Sequence, residues 1–135
     1  PEDINLIAVS KSQPYEKIIS ALDYGQIAFG ENYLQEALIK KKLVKQFSNL
    51  NPIWHFIGKI QSNKIKLIAE NFDWVQTVCN LDTAKKLNKC CSILNKNLNI
   101  LIQVNFEKET SKEGVHSFEQ LADLTQQIQS LSFLK

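Results

Sequence analysis

Short apolar runs alternate with longer stretches of helical periodicity along the whole chain. The first run, residues 4–9, is apolar at nearly every position, which is typical of a strand buried on both faces. Four further runs of strand length lie at residues 27–30, 53–58, 74–78 and 99–104. Between and after them, apolar residues recur at spacings of three and four, which predict helices near residues 14–24, 33–47, 61–71, 82–94 and 118–131.

Five predicted strands therefore alternate with five predicted helices, which indicates parallel βα units and an α/β fold. Two layouts satisfy this pattern, an open doubly wound sheet and a (β/α)8 barrel. A barrel needs eight strands and typically about 250 residues. A five-stranded open sheet would be complete within 135 residues, so length alone favours the open sheet. No G-x-G-x-x-G follows the first predicted strand, so a dinucleotide-binding version of that sheet has no support.

Composition and charge exclude several functional classes. A formal net charge of +2 is too small to indicate a nucleic-acid partner. No stretch approaches the roughly 18 apolar residues that span a bilayer. Cys79, Cys90 and Cys91 are odd in number and lack metal-ligand spacing, which indicates free thiols in a reducing compartment. We therefore expect a cytoplasmic protein with no membrane partner, no nucleic-acid partner and no metal.

Polar residues gather where the predicted strands end, and parallel α/β folds place their functional sites at that edge. Lys11 follows the first strand, Asn32 the second and Asn105 the fifth, while His55 lies within the third. A lysine at the end of a buried strand is partly desolvated, which favours its neutral amine. A neutral amine attacks an aldehyde to form a Schiff base. The commoner alternative is a lysine that reaches from the strand end into solvent.

The other candidates have ordinary structural alternatives. His55 would be a hydrogen-bonded histidine of the core or rim, and Asn32 would be the N-cap of the next helix. The basic run at residues 40–42, with Lys45, would solvate a helix face and complement the helix dipole. Three further lysines are candidates for attracting a phosphate, although exposed lysines without a ligand are common: Lys59, Lys64 and Lys66.

Four motifs resemble the pyridoxal-phosphate homeostasis family, in the family's order and spacing across essentially all 135 residues. They are Ala8-Val9-Ser10-Lys11 before Pro14, Phe29-Gly30-Glu31-Asn32-Tyr33 before Gln35-Glu36, Trp54-His55-Phe56-Ile57-Gly58 before Gln61-Ser62-Asn63-Lys64, and Gln103-Val104-Asn105 before Lys108, Ser111-Lys112 and Gly114. Each motif alone is moderately specific, and the ordered set is strongly so.

The resemblance implies a single (β/α)8 TIM barrel like the N-terminal domain of bacterial-type alanine racemases. It also implies that pyridoxal 5′-phosphate (PLP) is held as a Schiff base on Lys11, with Asn32 and His55 lining the cofactor pocket and Asn105 as a further member. The resemblance further implies that the protein acts as a carrier or regulator of PLP and vitamin B6 balance. No catalytic turnover is established for the family. The expected partners are PLP and PLP-dependent apo-enzymes, and we expect a monomer.

The same resemblance implies that residues 1–135 form an incomplete domain. Family members carry an N-terminal helix before the first strand and continue into strands six to eight, whose loops grip the PLP phosphate. Residues 132–135 resemble the start of a further element. Five strands cannot close a barrel, so an exposed sheet edge and a half-open core are expected.

Two alternative functions stay open at this point. A PLP-dependent racemase would need a second acid or base, often a tyrosine, on the opposite face of the cofactor. None of Tyr15, Tyr24 and Tyr33 lies at a predicted strand end. A cofactor-free α/β domain that acts through protein contacts would leave each candidate residue with its structural role alone.

Overall fold

The computed structural model describes residues 4–135 and shows parallel strands alternating with helices, as predicted. The strands are β1 (Ala8–Val9), β2 (Ala28–Glu31), β3 (Ile53–Phe56), β4 (Trp74–Val78) and β5 (Asn99–Ile102). The helices are α1 (Tyr15–Asp23), α2 (Leu34–Phe47), α3 (Ile65–Asn71), α4 (Leu81–Leu94) and α5 (Phe118–Ile128), and one 3-10 turn, Ser62–Lys64, leads into α3.

The order of the strands decides between the two layouts. Neighbours in the sheet follow chain order from β1 to β5, and every neighbouring pair is parallel. A doubly wound sheet reverses its order at a switch point, whereas a barrel adds each strand on the same side of the last. Beyond β5, Leu134 pairs in parallel with Leu98, and the Lys135 N–H donates to the Leu98 carbonyl at 3.0 Å. The open sheet that length favours is therefore wrong, and residues 132–135 add one isolated parallel bridge beyond β5.

The hydrophobic core lies between one face of the sheet and the helices. Phe29, Trp54, Phe56 and Val75 project from the strands on this side, and each is at most 4% exposed. They pack in one cluster with residues from α1 to α4 at helical spacing, including Ile18, Leu22, Ala37, Val44, Ile65, Ile68, Ala84 and Leu87. We call this the outer face of the sheet.

The opposite face, which we call the inner face, is exposed at its first and last strands. Val9 and Leu101 are exposed there, and the residues before β1 include Ile4 at 74% exposure and Leu6 at 71%. The prediction of a strand at residues 4–9 buried on both faces is therefore wrong. Pairing with β2 extends only over Ala8–Val9, whereas His55, which lies on the same inner face in β3, is buried at 7% exposure.

Helix ends follow the local chemistry of their residues. Gly25 ends α1 with φ +90°, a conformation that glycine adopts readily, and its N–H donates to the Leu22 carbonyl at 2.9 Å. Asn80 caps α4 by accepting from the Thr83 N–H at 2.9 Å, so this helix begins at Leu81, one residue before its predicted start. No helix within residues 4–135 is both long enough and apolar enough to cross a membrane.

Candidate functional site

The loops that follow β2 and β3 are tied to each other and to the end of β4 at the carboxyl edge of the sheet. Gly58 lies so close to the loop after β2 that a Cβ there would come within 2.0 Å of the Asn32 carbonyl oxygen. Thr77 Oγ1 donates to the Gly58 carbonyl at 2.7 Å. A cleft of about 360 Å³ opens here, which we call the rim cleft, and its lining includes Asn32, Gly58, Lys59, Thr77, Gln103 and Lys112.

Asn32 presents an unpaired polar atom at the rim cleft. Its side-chain Oδ1 is buried and has no hydrogen-bond partner among residues 4–135. The N-cap interpretation of Asn32 is wrong, because the N-cap of α2 is Tyr33 and no side chain caps that helix. A buried amide oxygen without a donor costs about 1–3 kcal/mol, which makes Asn32 a candidate for accepting a hydrogen bond from a ligand.

Lys11 lies in a tight turn directly after β1. The Ser10 N–H donates to the Gly30 carbonyl, and the Gln13 N–H donates back to the Ser10 carbonyl, both at 3.0 Å. These bonds place Lys11 and Ser12 at the two central positions of the turn, with Ser12 at φ 59°. The Lys11 side chain is exposed, so the apolar surroundings expected for a desolvated amine are not supplied by residues 4–135.

His55 lies on the inner face, in a different cavity from Asn32. Its ring stacks on Trp74 with 5.5 Å between centroids, and its Nδ1 lies 3.0 Å from Gln76 Nε2. Because an amide NH2 donates, His55 Nδ1 is the acceptor and the ring proton is on Nε2. Burial holds the pKa of His55 below its ordinary value, against a smaller opposing effect of Asp73. The cavity that His55 lines measures about 620 Å³.

Asn105 shapes the loop between β5 and α5. Its Nδ2 donates to the carbonyls of Glu109 and Lys112, each at 2.9 Å, and its Oδ1 accepts from the Glu109 N–H at 3.0 Å. These bonds use both donors of the amide. The structure therefore shows Asn105 folding the loop that brings Lys112 to the rim cleft.

Two of the basic residues of α2 depart from the predicted solvated face, whereas Lys42 and Lys45 are exposed as predicted. Lys40 is buried, and Lys41 lies over Trp54 at 4.8 Å from the ring centroid. Burial lowers the pKa of Lys41 to about 8. Lys40 lies three residues after the buried Ala37 and four before the buried Val44. Helical spacing therefore places Lys40 on the buried face of α2.

The three lysines considered as candidates for attracting a phosphate lie in different environments. Lys59 forms an ion pair with Glu113 at 2.5 Å, which raises the pKa of Lys59. Lys66 lies 3.9 Å from Glu70 on α3. Lys64 lines a second cleft of about 290 Å³ beside Asn32, and Lys59 and Tyr33 also line it.

Sequence reasoning missed a buried polar network beneath Lys11. Glu31 is fully buried on the outer face, and its Oε1 accepts from Ser10 Oγ at 2.6 Å and from Lys40 Nζ at 2.8 Å. Glu31 Oε2 has no partner among the described residues. The available signal was the charged Glu31 at the end of a predicted buried strand, since buried charges require a partner.

Comparison with known proteins supports the architecture over the whole chain. The family model of the alanine racemase N-terminal domain matches residues 2–135. The pyridoxal phosphate homeostasis proteins of Pasteurella multocida and Escherichia coli are 48% and 45% identical over 97% and 92% of this chain. The chain covers 55% and 51% of those two relatives, so it spans about half their length.

Solved structures support the same architecture. PipY of Synechococcus elongatus, solved without PLP and with PLP bound, matches all of this chain with TM-scores of 0.93 and 0.91 at 32% and 31% identity. The chain covers 61% of PipY. An alanine racemase of Clostridium difficile, at 14% identity and a TM-score of 0.81, shares the fold. The resemblance drawn from the four motifs is confirmed, and the chain belongs to the family of the alanine racemase N-terminal domain.

Proposed function

We propose that this chain is part of a protein that binds PLP through Lys11 and serves PLP homeostasis without ordinary catalytic turnover. One observation carries the proposal. Lys11 occupies the turn at the carboxyl edge of a sheet that matches PipY solved with PLP bound, at a TM-score of 0.91. The names of the curated relatives support the homeostasis role.

The residues present at the rim fit this cofactor. PLP supplies an aldehyde whose carbon forms an imine bond to a primary amine, while the carbonyl oxygen leaves as water. Lys11 provides an exposed primary amine. Asn32 provides a buried acceptor that has no partner among residues 4–135. In this proposal His55 lines the cavity on the inner face of the sheet, and Asn105 holds the loop that borders the rim cleft.

The racemase alternative depends on a second acid or base beside the ligand. Tyr15 stacks on Phe47 with 5.6 Å between centroids, and Tyr24 lies exposed just after α1. Tyr33 lines the cleft beside Asn32 and is the tyrosine whose position suits that role. Measured racemisation of several amino acids would distinguish the two proposals, since clear turnover would overturn the homeostasis role.

The proposed role also defines the partners. A PLP carrier has to release its cargo to an acceptor, so we propose PLP-dependent apo-enzymes in the cytoplasm as recipients and a monomer as the working form. A formal net charge of +2 gives no reason to propose a nucleic-acid partner.

The test is a PLP titration followed by visible absorbance, borohydride reduction and peptide mass spectrometry. It is run on this chain and on a chimera in which the chain replaces the matching part of the P. multocida relative, because the chain covers 55% of that protein. Saturable absorbance with the reduced adduct on Lys11 would support the proposal. Lys11→Ala should abolish the adduct, whereas Lys42→Ala, at an exposed lysine of α2, should leave it unchanged.

Two results would contradict the proposal. One is the absence of any adduct in both the chain and the chimera, which would favour a cofactor-free domain. The other is an adduct that persists in Lys11→Ala. An adduct in the chimera alone would support the role of Lys11 and assign much of the affinity to residues outside this chain.

A further inference from the structure

Charged side chains of α2 hold the backbone on both sides of Lys11. On one side, Lys40 Nζ donates to the Ser10 carbonyl at 2.6 Å. On the other side, the Ser12 N–H donates to Glu36 Oε1 at 2.6 Å. Lys40 and Glu36 form an ion pair one turn apart on α2. A single pair of side chains therefore spans the turn that presents Lys11.

Glu31 completes this arrangement from the core. Its buried Oε1 accepts from Lys40 Nζ at 2.8 Å, so the ammonium of Lys40 has three acceptors, Ser10, Glu31 and Glu36, for its three N–H donors. An ammonium with every donor engaged has one favoured position. We call Glu31, Glu36 and Lys40 the Lys40 anchor.

Stability alone gives little reason for the Lys40 anchor. Desolvation of a buried ion pair largely offsets the attraction between its charges, so such pairs are weak contributors to stability. The turn that the anchor holds is itself unfavourable, because Ser12 has φ 59° and carries a Cβ. A strained turn beside the Lys11 amine, held from both sides, is the arrangement expected when the position of that amine matters.

We propose that Glu31, Glu36 and Lys40 are positioning residues for the Lys11 amine. The inference rests on the proposed function, in which Lys11 attaches PLP. The anchor contacts neither the amine nor the rim cleft; it holds Ser10 and Ser12, so that the Lys11 side chain leaves the backbone in a constant direction. Covalent attachment depends on that direction, because a nucleophile reacts fast only when it is held near its target.

Glu36→Ala tests the anchor at a partly exposed member, with 30% side-chain exposure, where the variant is expected to fold. Glu70→Ala is the matched control, because Glu70 also lies one turn from a lysine and is also 30% exposed. Glu36→Gln keeps an acceptor oxygen for the Ser12 N–H. Each variant is titrated, in this chain and in the chimera, with PLP and with pyridoxine 5′-phosphate, which lacks the aldehyde.

We expect Glu36→Ala to weaken PLP binding and to slow adduct formation at Lys11 about tenfold, with pyridoxine 5′-phosphate affinity changed less than about twofold. Glu36→Gln should recover most of the loss, and Glu70→Ala should behave as wild type. Equal adduct formation in Glu36→Ala and wild type would overturn the inference. Equal losses for both ligands, or no recovery in Glu36→Gln, would also overturn it, because they indicate a general structural role. Absence of any adduct in the wild-type chain and chimera would instead overturn the proposed function, and the inference with it.

Discussion

On the outer face of the sheet, Phe29 and Phe56 are buried against the helices, while on the inner face Val9 and Leu101 remain exposed. Alternate residues of the same strands supply both faces, because successive side chains of a strand point in opposite directions. The helices that follow each strand cover the outer face alone. The comparison indicates that the outer face stabilises this chain, whereas the inner face and its rim carry the candidate site.

Phe56→Ala should have the largest effect on the outer face. Phe56 is 2% exposed and packs edge-on against Phe72 with 5.2 Å between ring centroids. Removing a buried phenyl ring costs about 3–5 kcal/mol of unfolding free energy. Urea unfolding followed by circular dichroism measures the loss. The matched inner-face variant Leu101→Ala, at a residue 47% exposed, should lose far less, and equal losses would break the comparison.

Gly58→Ala should have the next largest effect, at the rim where the two faces meet. The added Cβ would lie 2.0 Å from the backbone carbonyl of Asn32, and no side-chain movement relieves that contact. We expect a loss of about 1–3 kcal/mol in unfolding free energy and weaker PLP binding in the chimera. Gly30→Ala is the control, because its added Cβ would meet side-chain atoms of Ile57 and Ile7 at 3.0 and 3.3 Å. A larger loss for Gly30→Ala than for Gly58→Ala would contradict the tight approach of the two loops.

His55 should give the inner face a smaller, pH-dependent contribution. Burial lowers the pKa of His55 in the folded chain below its unfolded value of about 6.5. The unfolded chain therefore binds the proton more readily. The stabilisation is complete above the unfolded pKa and is lost as the pH falls through the lower folded pKa.

His55→Gln should accordingly lose less stability than wild type when the pH is lowered from about 7.5 to about 5. Urea unfolding midpoints at the two pH values measure this loss in each protein. Subtracting the loss in the variant from the loss in wild type removes the contribution of groups that titrate alike in both proteins. Identical shifts in the two proteins would show that His55 is not buried as the structure places it.

Leu6→Ser should have the smallest effect. Leu6 precedes β1 and is 71% exposed, so removing its apolar surface is expected to change the unfolding free energy by no more than about 0.5 kcal/mol. Thermal unfolding at two protein concentrations measures it. A loss above about 1 kcal/mol that depends on concentration would mean that a second copy of the chain covers the inner face.

Much of this fold and part of the candidate site could be predicted from the sequence. The period of the apolar residues located all five strands and helices to within a few residues, because the spacing of apolar residues along an element is a local property of the sequence. The four motifs predicted the barrel family, although length alone favoured an open sheet. Lys11 and Asn32 follow their strands in the sequence, so their place at the carboxyl edge was predictable.

Tertiary structure decided which of these residues meet. Ser10, Glu31 and Lys40 lie 9 to 30 positions apart in the chain, yet they form one buried network because the register of β1 with β2 and the packing of α2 bring them together. His55 and Asn32 end in different cavities for the same reason. Periodicity reports which way a residue faces within its own element, whereas the partner it meets depends on how distant elements pack, and that is settled only when the chain folds.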